Sequence, residues 1–165
     1  MRPLNSPLEV GLRAVIVLTE AFPNALDMDR LLLMDYVLLH SGDFGGPDSL
    51  QPPLSTRGGE LGAKREILNH GLQMMMRAGM VDVLASSDGI TYRASEAASP
   101  FLQLVRSNML GQLSRVARWV VHELSGLSDD SILDRTSQIE RQWSADVLSD
   151  NAGERFSWTG EEVAG

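Results

Sequence analysis

The chain opens with two segments in which apolar residues recur every three or four positions. The first runs from Ser6 to about Phe22, and its opening Ser-Pro-Leu-Glu fits a capping box with proline at the first helical position. The second begins near Asp27, a residue type that favours helix N-caps, and ends around His40. The pattern predicts two helices, each with a buried apolar face.

A third helical pattern precedes a hairpin signal. It spans about Glu60 to Ala78, and Gly79 is placed where a helix C-cap is expected. Residues 80–85 are typical of a strand, the following turn contains Asp-Gly, and residues 90–93 form the returning strand. The segment before this helix, residues 41–59, is rich in glycine, proline and serine and predicts a long loop.

The last third of the chain is again periodic. The pattern from Pro100 to Leu124 predicts a helix that bends or splits at Gly111, and residues 129–144 predict another amphipathic helix. Beyond Leu148 the pattern is lost and the sequence becomes acidic, which is typical of a disordered tail.

These elements predict a mainly α fold with a small β-hairpin, of the α+β class. Three helices followed by a hairpin are the element order of a winged helix. We therefore expect a winged-helix-like core over residues 1–97, a C-terminal helical extension over 98–147 and an acidic tail over 148–165.

Composition narrows the class of protein. With 165 residues, 43% of them hydrophobic, the chain is long enough for one substantial core. Its formal net charge of −8 argues against a protein that binds nucleic acid through its overall electrostatic potential. No cysteine, signal-peptide pattern or membrane-length apolar run is present, so we expect a cytoplasmic protein without a membrane contact.

No motif supports catalysis. The glycine-rich entry to the third helix lacks the spacing and the hydroxyl of a phosphate-binding loop. His40, His70 and His122 lie on separate predicted helices without the spacing of a zinc site, and no Gly-x-Ser-x-Gly motif supports a hydrolase. We expect no catalytic residue, metal or cofactor, and hence no enzyme.

The third helix carries a polar stripe that provides candidate contact residues. Its members recur every fourth position, and Arg93 in the hairpin is a further candidate; the stripe comprises Arg65, Asn69, Gln73 and Arg77. Such side chains read bases and phosphates when a recognition helix enters DNA. They are equally compatible with a solvated face or with a protein contact, which the acidic net charge favours.

Charge is segregated further along the chain. Residues 93–118 hold four arginines against one glutamate, whereas residues 146–165 hold five carboxylates against one arginine. This is compatible with contact between the two segments, with separate partners for them, or with a tail that contacts neither. The candidate docking residues are Arg106, Arg115, Arg118, Trp119, Phe156 and Trp158.

Several ordered blocks of sequence resemble the middle component of bacterial ABC-three-component systems, of which Lamassu-like anti-phage defence systems are the nearest named case. The blocks cover nearly everything to about Trp143; they are Asn5-Ser6-Pro7-Leu8-Glu9-Val10-Gly11-Leu12-Arg13, Leu33-Met34-Asp35-Tyr36-Val37-Leu38-Leu39-His40-Ser41-Gly42-Asp43, Gly45-Gly46-Pro47-x-Ser49-Leu50, Arg57-x-Gly59-Glu60-Leu61, Gly71-Leu72-x-x-Met75 and Tyr92-Arg93-Ala94. The resemblance implies a winged-helix-type protein that bridges an SMC- or Rad50-like ABC ATPase and an effector, often a nuclease. It implies no catalytic residue.

Two functional hypotheses follow. The first is a non-catalytic assembly subunit that docks through the core and the C-terminal helices, with the loop after His40 helping to define the interface. The second is a winged-helix DNA-binding regulator that contacts DNA through the third helix and the wing.

Overall fold

The fold is mainly helical with a small three-stranded antiparallel sheet, which confirms the predicted α+β class. The computed structural model describes residues 6–50, 60–105 and 107–142, without the side chains of residues 60–63. In chain order the elements are α1 (Pro7–Ala21), β1 (Leu26–Asp27), α2 (Met28–Leu39), a short 3-10 helix (Ser41–Phe44), α3 (Glu60–Arg77), β2 (Val81–Ser86), β3 (Gly89–Ala94), α4 (Ala98–Leu104), α5 (Asn108–Leu124) and α6 (129–142).

The local signals at the helix ends are confirmed. The Glu9 amide donates to the Ser6 hydroxyl and the Ser6 amide donates to the Glu9 carboxylate, which completes the capping box of α1. The Asp27 carboxylate accepts from the Arg30 amide at the start of α2. Gly79 has φ +79° and forms with Met80 the paired backbone bonds of a Schellman cap.

The sheet contains the predicted hairpin and one strand that the sequence pattern did not indicate. β2 and β3 pair from Val81 with Ala94 to Ser86 with Gly89, around a two-residue turn. β1 pairs with the outer edge of β3, Leu26 opposite Tyr92. A strand of two residues has no period of its own, so only its tertiary pairing defines it.

α1 and α2 form the centre of the molecule. Every residue of α2 from Leu31 to Leu39 is buried, and in α1 the buried run is continuous over residues 13–18. The buried residues of α1 are Val10, Gly11, Arg13, Ala14, Val15, Ile16, Val17, Leu18 and Ala21. A helix that is buried around its whole circumference is packed on several sides, so these two helices are the ones that the other elements surround.

The remaining helices lie on two sides of this centre. Among the described residues, α1 and α2 each pack against both α3 and α5, whereas α3 and α5 share no major contact with each other. The hairpin packs beside α3 and against α1. α3 with the hairpin therefore lies on one side of the α1–α2 pair, and α5 lies on the other.

A glycine pair permits a close approach of α1 and α3. A Cβ atom on Gly71 of α3 would lie 2.5 Å from the Pro7 carbonyl oxygen and 2.7 Å from the Gly11 amide nitrogen of α1. A Cβ atom on Gly11 would lie 2.6 Å from the Gly71 carbonyl oxygen. Since real side chains do not fit at these distances, only glycine at both positions permits this crossing.

A buried ion pair joins the two central helices. The Arg13 side chain is 1% exposed and that of Asp35 is 6% exposed. The Arg13 Nε–H donates to Asp35 Oδ1 at 2.6 Å, and Nη2 donates to Oδ2 at 3.0 Å. This two-pronged geometry matches a guanidinium to a carboxylate and pairs the two charges inside the core.

The helix predicted from Pro100 to Leu124 is split into two helices, but the predicted position of the split, Gly111, is wrong, since Gly111 lies within α5. The break falls between Leu104 and Asn108, because the Ser107 hydroxyl accepts from the Leu110 amide and caps α5. A serine that bonds the backbone in this way begins a new helix in preference to continuing the old one.

Arg30 ties the C-terminal helices to α2. Its guanidinium donates to the carbonyl oxygens of Leu124 at 3.3 Å and Leu127 at 2.5 Å, and its Nε lies 2.9 Å from the Asp129 carboxylate. A cation at the last carbonyls of α5 also complements the helix dipole. The division at residue 97 stays a prediction; α4 begins at Ala98, but the buried residues of α5 belong to the same core as those of α1 and α2.

Half of the predicted loop after His40 is folded against the C-terminal helices. Residues 41–50 begin with the 3-10 helix, and a Cβ atom on Gly46 would lie 2.5 Å from the Trp119 ring of α5. The Arg135 guanidinium of α6 donates to the Phe44 carbonyl oxygen at 2.6 Å. Residues 51–59 lie outside the described part of the chain.

Candidate protein-docking site

The junction of α4 and α5, here called the elbow and comprising residues 102–105 and 107–111, exposes apolar side chains. Leu104 is 83% exposed, Met109 50% and Val105 42%, while Leu102 and Leu110 are half-buried. A cleft of about 520 Å³ lies between the two helices. Val105 lines this cleft, whereas Leu104 and Met109 are exposed near it. Exposed apolar side chains grouped beside a cleft are typical of an interaction surface.

The side of this cleft that α5 forms is shallow, because its residues are small. Ser107, Gly111 and Ser114 line it, and a Cβ atom on Gly111 would have only Arg115 Nη1 near it, at 3.8 Å. The Arg115 guanidinium therefore lies beside the cleft. Small side chains at this spacing allow the backbone of a second segment to approach closely.

The charged residues in the sequence around the elbow are all positive. Residues 97–122 contain Arg106, Arg115 and Arg118 and no carboxylate. Arg118 lies 3.3 Å from the Glu20 carboxylate, whereas Arg115 is exposed and makes no ion pair with the described residues. The surface thus combines apolar contact area with positive charge, in a chain whose net charge is −8.

The predicted docking residues are only partly brought together. Arg115 and Arg118 are exposed on α5, but Trp119 is half-buried and packs against Gly46, so its ring is engaged within the molecule. Arg106, Phe156 and Trp158 lie outside the described residues.

The polar stripe of α3 lies on the surface, as a contact role requires. Arg65, Gln73 and Arg77 are exposed and Asn69 is half-buried. Arg65 is bonded to the Asp29 carboxylate, and Asp129 and Asp130 line the same cleft of about 450 Å³. Negative charge therefore surrounds the N-terminal end of the stripe.

Arg93 lies apart from the start of that stripe. It is half-buried in a cleft with Gly79 and Asp82, and its Nη2 lies 3.8 Å from the Asp82 carboxylate. Gly79 follows the C-terminal end of α3, roughly 20 Å along the helix axis from Arg65. The structure does not bring Arg65 and Arg93 to one point.

Sequence reasoning missed three features of the structure. It included Val105 and Met109 in the apolar pattern of residues 100–124 but did not indicate that both are exposed. It did not find the Arg13–Asp35 pair, although a charged residue inside each of two apolar helix patterns was a usable signal. It also did not indicate that Gly46 contacts Trp119, for which the sequence offers no local signal.

The described residues contain no cluster of three histidine, aspartate or glutamate side chains that could hold a metal ion. His40 is fully buried and its ring lies 4.8 Å from that of Tyr36. Within the described ranges, no helix is both long and apolar enough to cross a bilayer.

These features define a small, mainly helical α+β protein with an apolar and cationic surface beside a single shared core. Residues 3–146 match the family described as ABC-three component (ABC-3C) system Middle Component 2, so the chain belongs to that family. The family supplies a middle component of antiviral defence systems. No curated protein and no solved structure matches the chain.

Proposed function

We propose that this protein is a non-catalytic adaptor that joins two other components of its defence system. The observation that carries the proposal is the presence of two different surfaces, the α3 stripe and the elbow, on helices that pack against the central helices and share no major contact with each other. A subunit that binds one partner on each surface holds both in a fixed relation. The partners proposed are an SMC- or Rad50-like ABC ATPase and an effector of the nuclease type, in the cytoplasm.

The fold order supports the winged-helix interpretation of residues 1–97. The order α1, β1, α2, α3, β2, β3, with β1 joined to the hairpin, has the helices and the wing in the expected sequence. In this adaptor the third helix acts as a protein-docking surface and not as a DNA-reading one, since carboxylates accompany both Arg65 and, in the wing, Arg93.

Acidic substitutions at the elbow are expected to remove one partner. In Leu104→Asp/Met109→Asp the two changed side chains are already exposed, so the fold is retained, while apolar contact area is lost and negative charge faces a partner selected for a cationic surface. The measurement is co-purification of the three components, with thermal unfolding as the test of folding.

The hairpin offers a matched control. Val83 is 46% exposed and Ile90 is 56% exposed, so Val83→Asp/Ile90→Asp makes the same chemical change elsewhere. We expect this control to retain both partners. Loss of both partners by both variants, or retention of both by the elbow variant, would contradict the assignment of the elbow as a docking surface.

The DNA-binding alternative is favoured by the exposed stripe of α3 and is tested by Arg65→Ala/Arg77→Ala. We expect little DNA binding by the isolated protein and no change in the variant, because carboxylates surround Arg65 and the net charge is −8. Fluorescence anisotropy with a short duplex over a range of salt concentrations measures this. A weaker affinity and a flatter salt dependence in the variant would establish the alternative.

A further inference from the structure

We propose that the acidic C-terminal segment of this chain, residues 146–165, docks on the elbow of the same molecule. Only the consequence of this contact, competition with a partner for the elbow, rests on the proposed function. The contact itself is a property of the single chain and is testable without any partner.

Charge complementarity is the first argument. The segment holds five carboxylates and one arginine, whereas residues 97–122 hold three arginines and no carboxylate, and of these arginines Arg118 already pairs with Glu20 of α1. Arg115 lies beside the cleft and makes no ion pair with the described residues. Opposite charges on two parts of one chain attract each other in a way that added salt weakens.

The segment also carries side chains suited to the cleft. Phe156 and Trp158 stand among acidic and small residues. Aromatic side chains contribute large contact areas at protein interfaces, and the elbow offers exposed Leu104, Val105 and Met109 beside a cleft of about 520 Å³.

The chain is long enough for this contact. Phe156 lies 14 positions after position 142, the end of the described part of α6, and an extended chain of that length reaches about 46 Å. A 165-residue globule is smaller than this reach in most directions. Tethering gives an effective concentration of about a millimolar, so even a weak contact is well populated.

Disulfide trapping tests the contact in the full chain, which has no cysteine of its own. In Leu104→Cys/Ser157→Cys one cysteine is at the elbow and the other lies between the two aromatic residues. The matched control is Val83→Cys/Ser157→Cys, with the first cysteine on the hairpin. Under mild oxidation we expect the elbow pair to form an intramolecular bond about 10-fold faster than the control.

Two further readouts make the outcome decisive. Adding Arg115→Glu, or Phe156→Ala/Trp158→Ala, to the elbow pair is expected to slow trapping severalfold, and high salt is expected to do the same. Equal rates at the elbow and the hairpin would overturn the inference. Bonds between molecules, with a rate that rises with protein concentration, would also overturn it in favour of a second copy. Failure of co-purification would leave trapping unchanged, so the two proposals fail separately.

Discussion

Replacing Asp35 with alanine is expected to lower the free energy of unfolding by about 3–5 kcal/mol. The carboxylate receives two hydrogen bonds from Arg13, whose side chain is 1% exposed. Its removal breaks an ion pair inside the core, where loss of one partner is costly. Urea unfolding followed by circular dichroism measures the loss.

An exposed pair in the same molecule is the control. Asp82→Ala removes the carboxylate 3.8 Å from Arg93 at the surface, where such a pair contributes at most about 1 kcal/mol. The double variant Arg13→Met/Asp35→Leu is expected to recover much of the loss, since apolar residues of similar volume often replace a buried pair. If Asp35→Ala costs no more than Asp82→Ala, the pair does not stabilise the core as argued.

Gly71→Ala is expected to lower the free energy of unfolding by about 3 kcal/mol. The added methyl group would lie 2.5 Å from the Pro7 carbonyl oxygen, and the atoms that it meets are backbone atoms of α1. α1 and α3 must therefore move apart, which loosens the packing around their contact. Thermal and urea unfolding measure this loss.

Gly111→Ala is the matched control in a helix. The nearest atom to its added methyl group is Arg115 Nη1 at 3.8 Å, so nothing has to move. Alanine favours helix over glycine, and this variant is expected to gain about 0.5–1 kcal/mol. Opposite signs for the same substitution at the two sites would establish that the loss at Gly71 comes from the helix crossing; stabilisation at both would contradict it.

The parts of the fold that depend on neighbouring residues were predictable. The capping box at Ser6, the cap at Asp27 and the Gly79 ending each act within a few residues, so they are visible in the sequence. The hairpin belongs to the same group because an Asp-Gly turn joins adjacent strands.

Other features depend on contacts between distant segments. β1 exists only because Leu26 meets Tyr92 across the sheet, and the crossing of Gly11 with Gly71 joins positions 60 residues apart. The break at the elbow was not predictable for a different reason. The helical spacing of apolar residues continues through Ser107, but the Ser107 hydroxyl accepts a hydrogen bond from the Leu110 amide and begins a new helix there.

The sequence predicts which kinds of side chain the candidate site contains better than it predicts where they lie. The polar character of Arg65 and Arg77 and the positive charge of α5 follow from the sequence. Exposure of Val105 and Met109 does not, because periodicity identifies an apolar stripe without telling which part of it is covered.

The first turn of α2 joins α3 to the C-terminal helices through adjacent residues. Asp29 bonds to Arg65 on α3, while Arg30 holds the end of α5 and the start of α6. α3 and the two C-terminal helices are thus both anchored on one turn of α2. We therefore expect a substitution in this turn to loosen α3 and the C-terminal helices together.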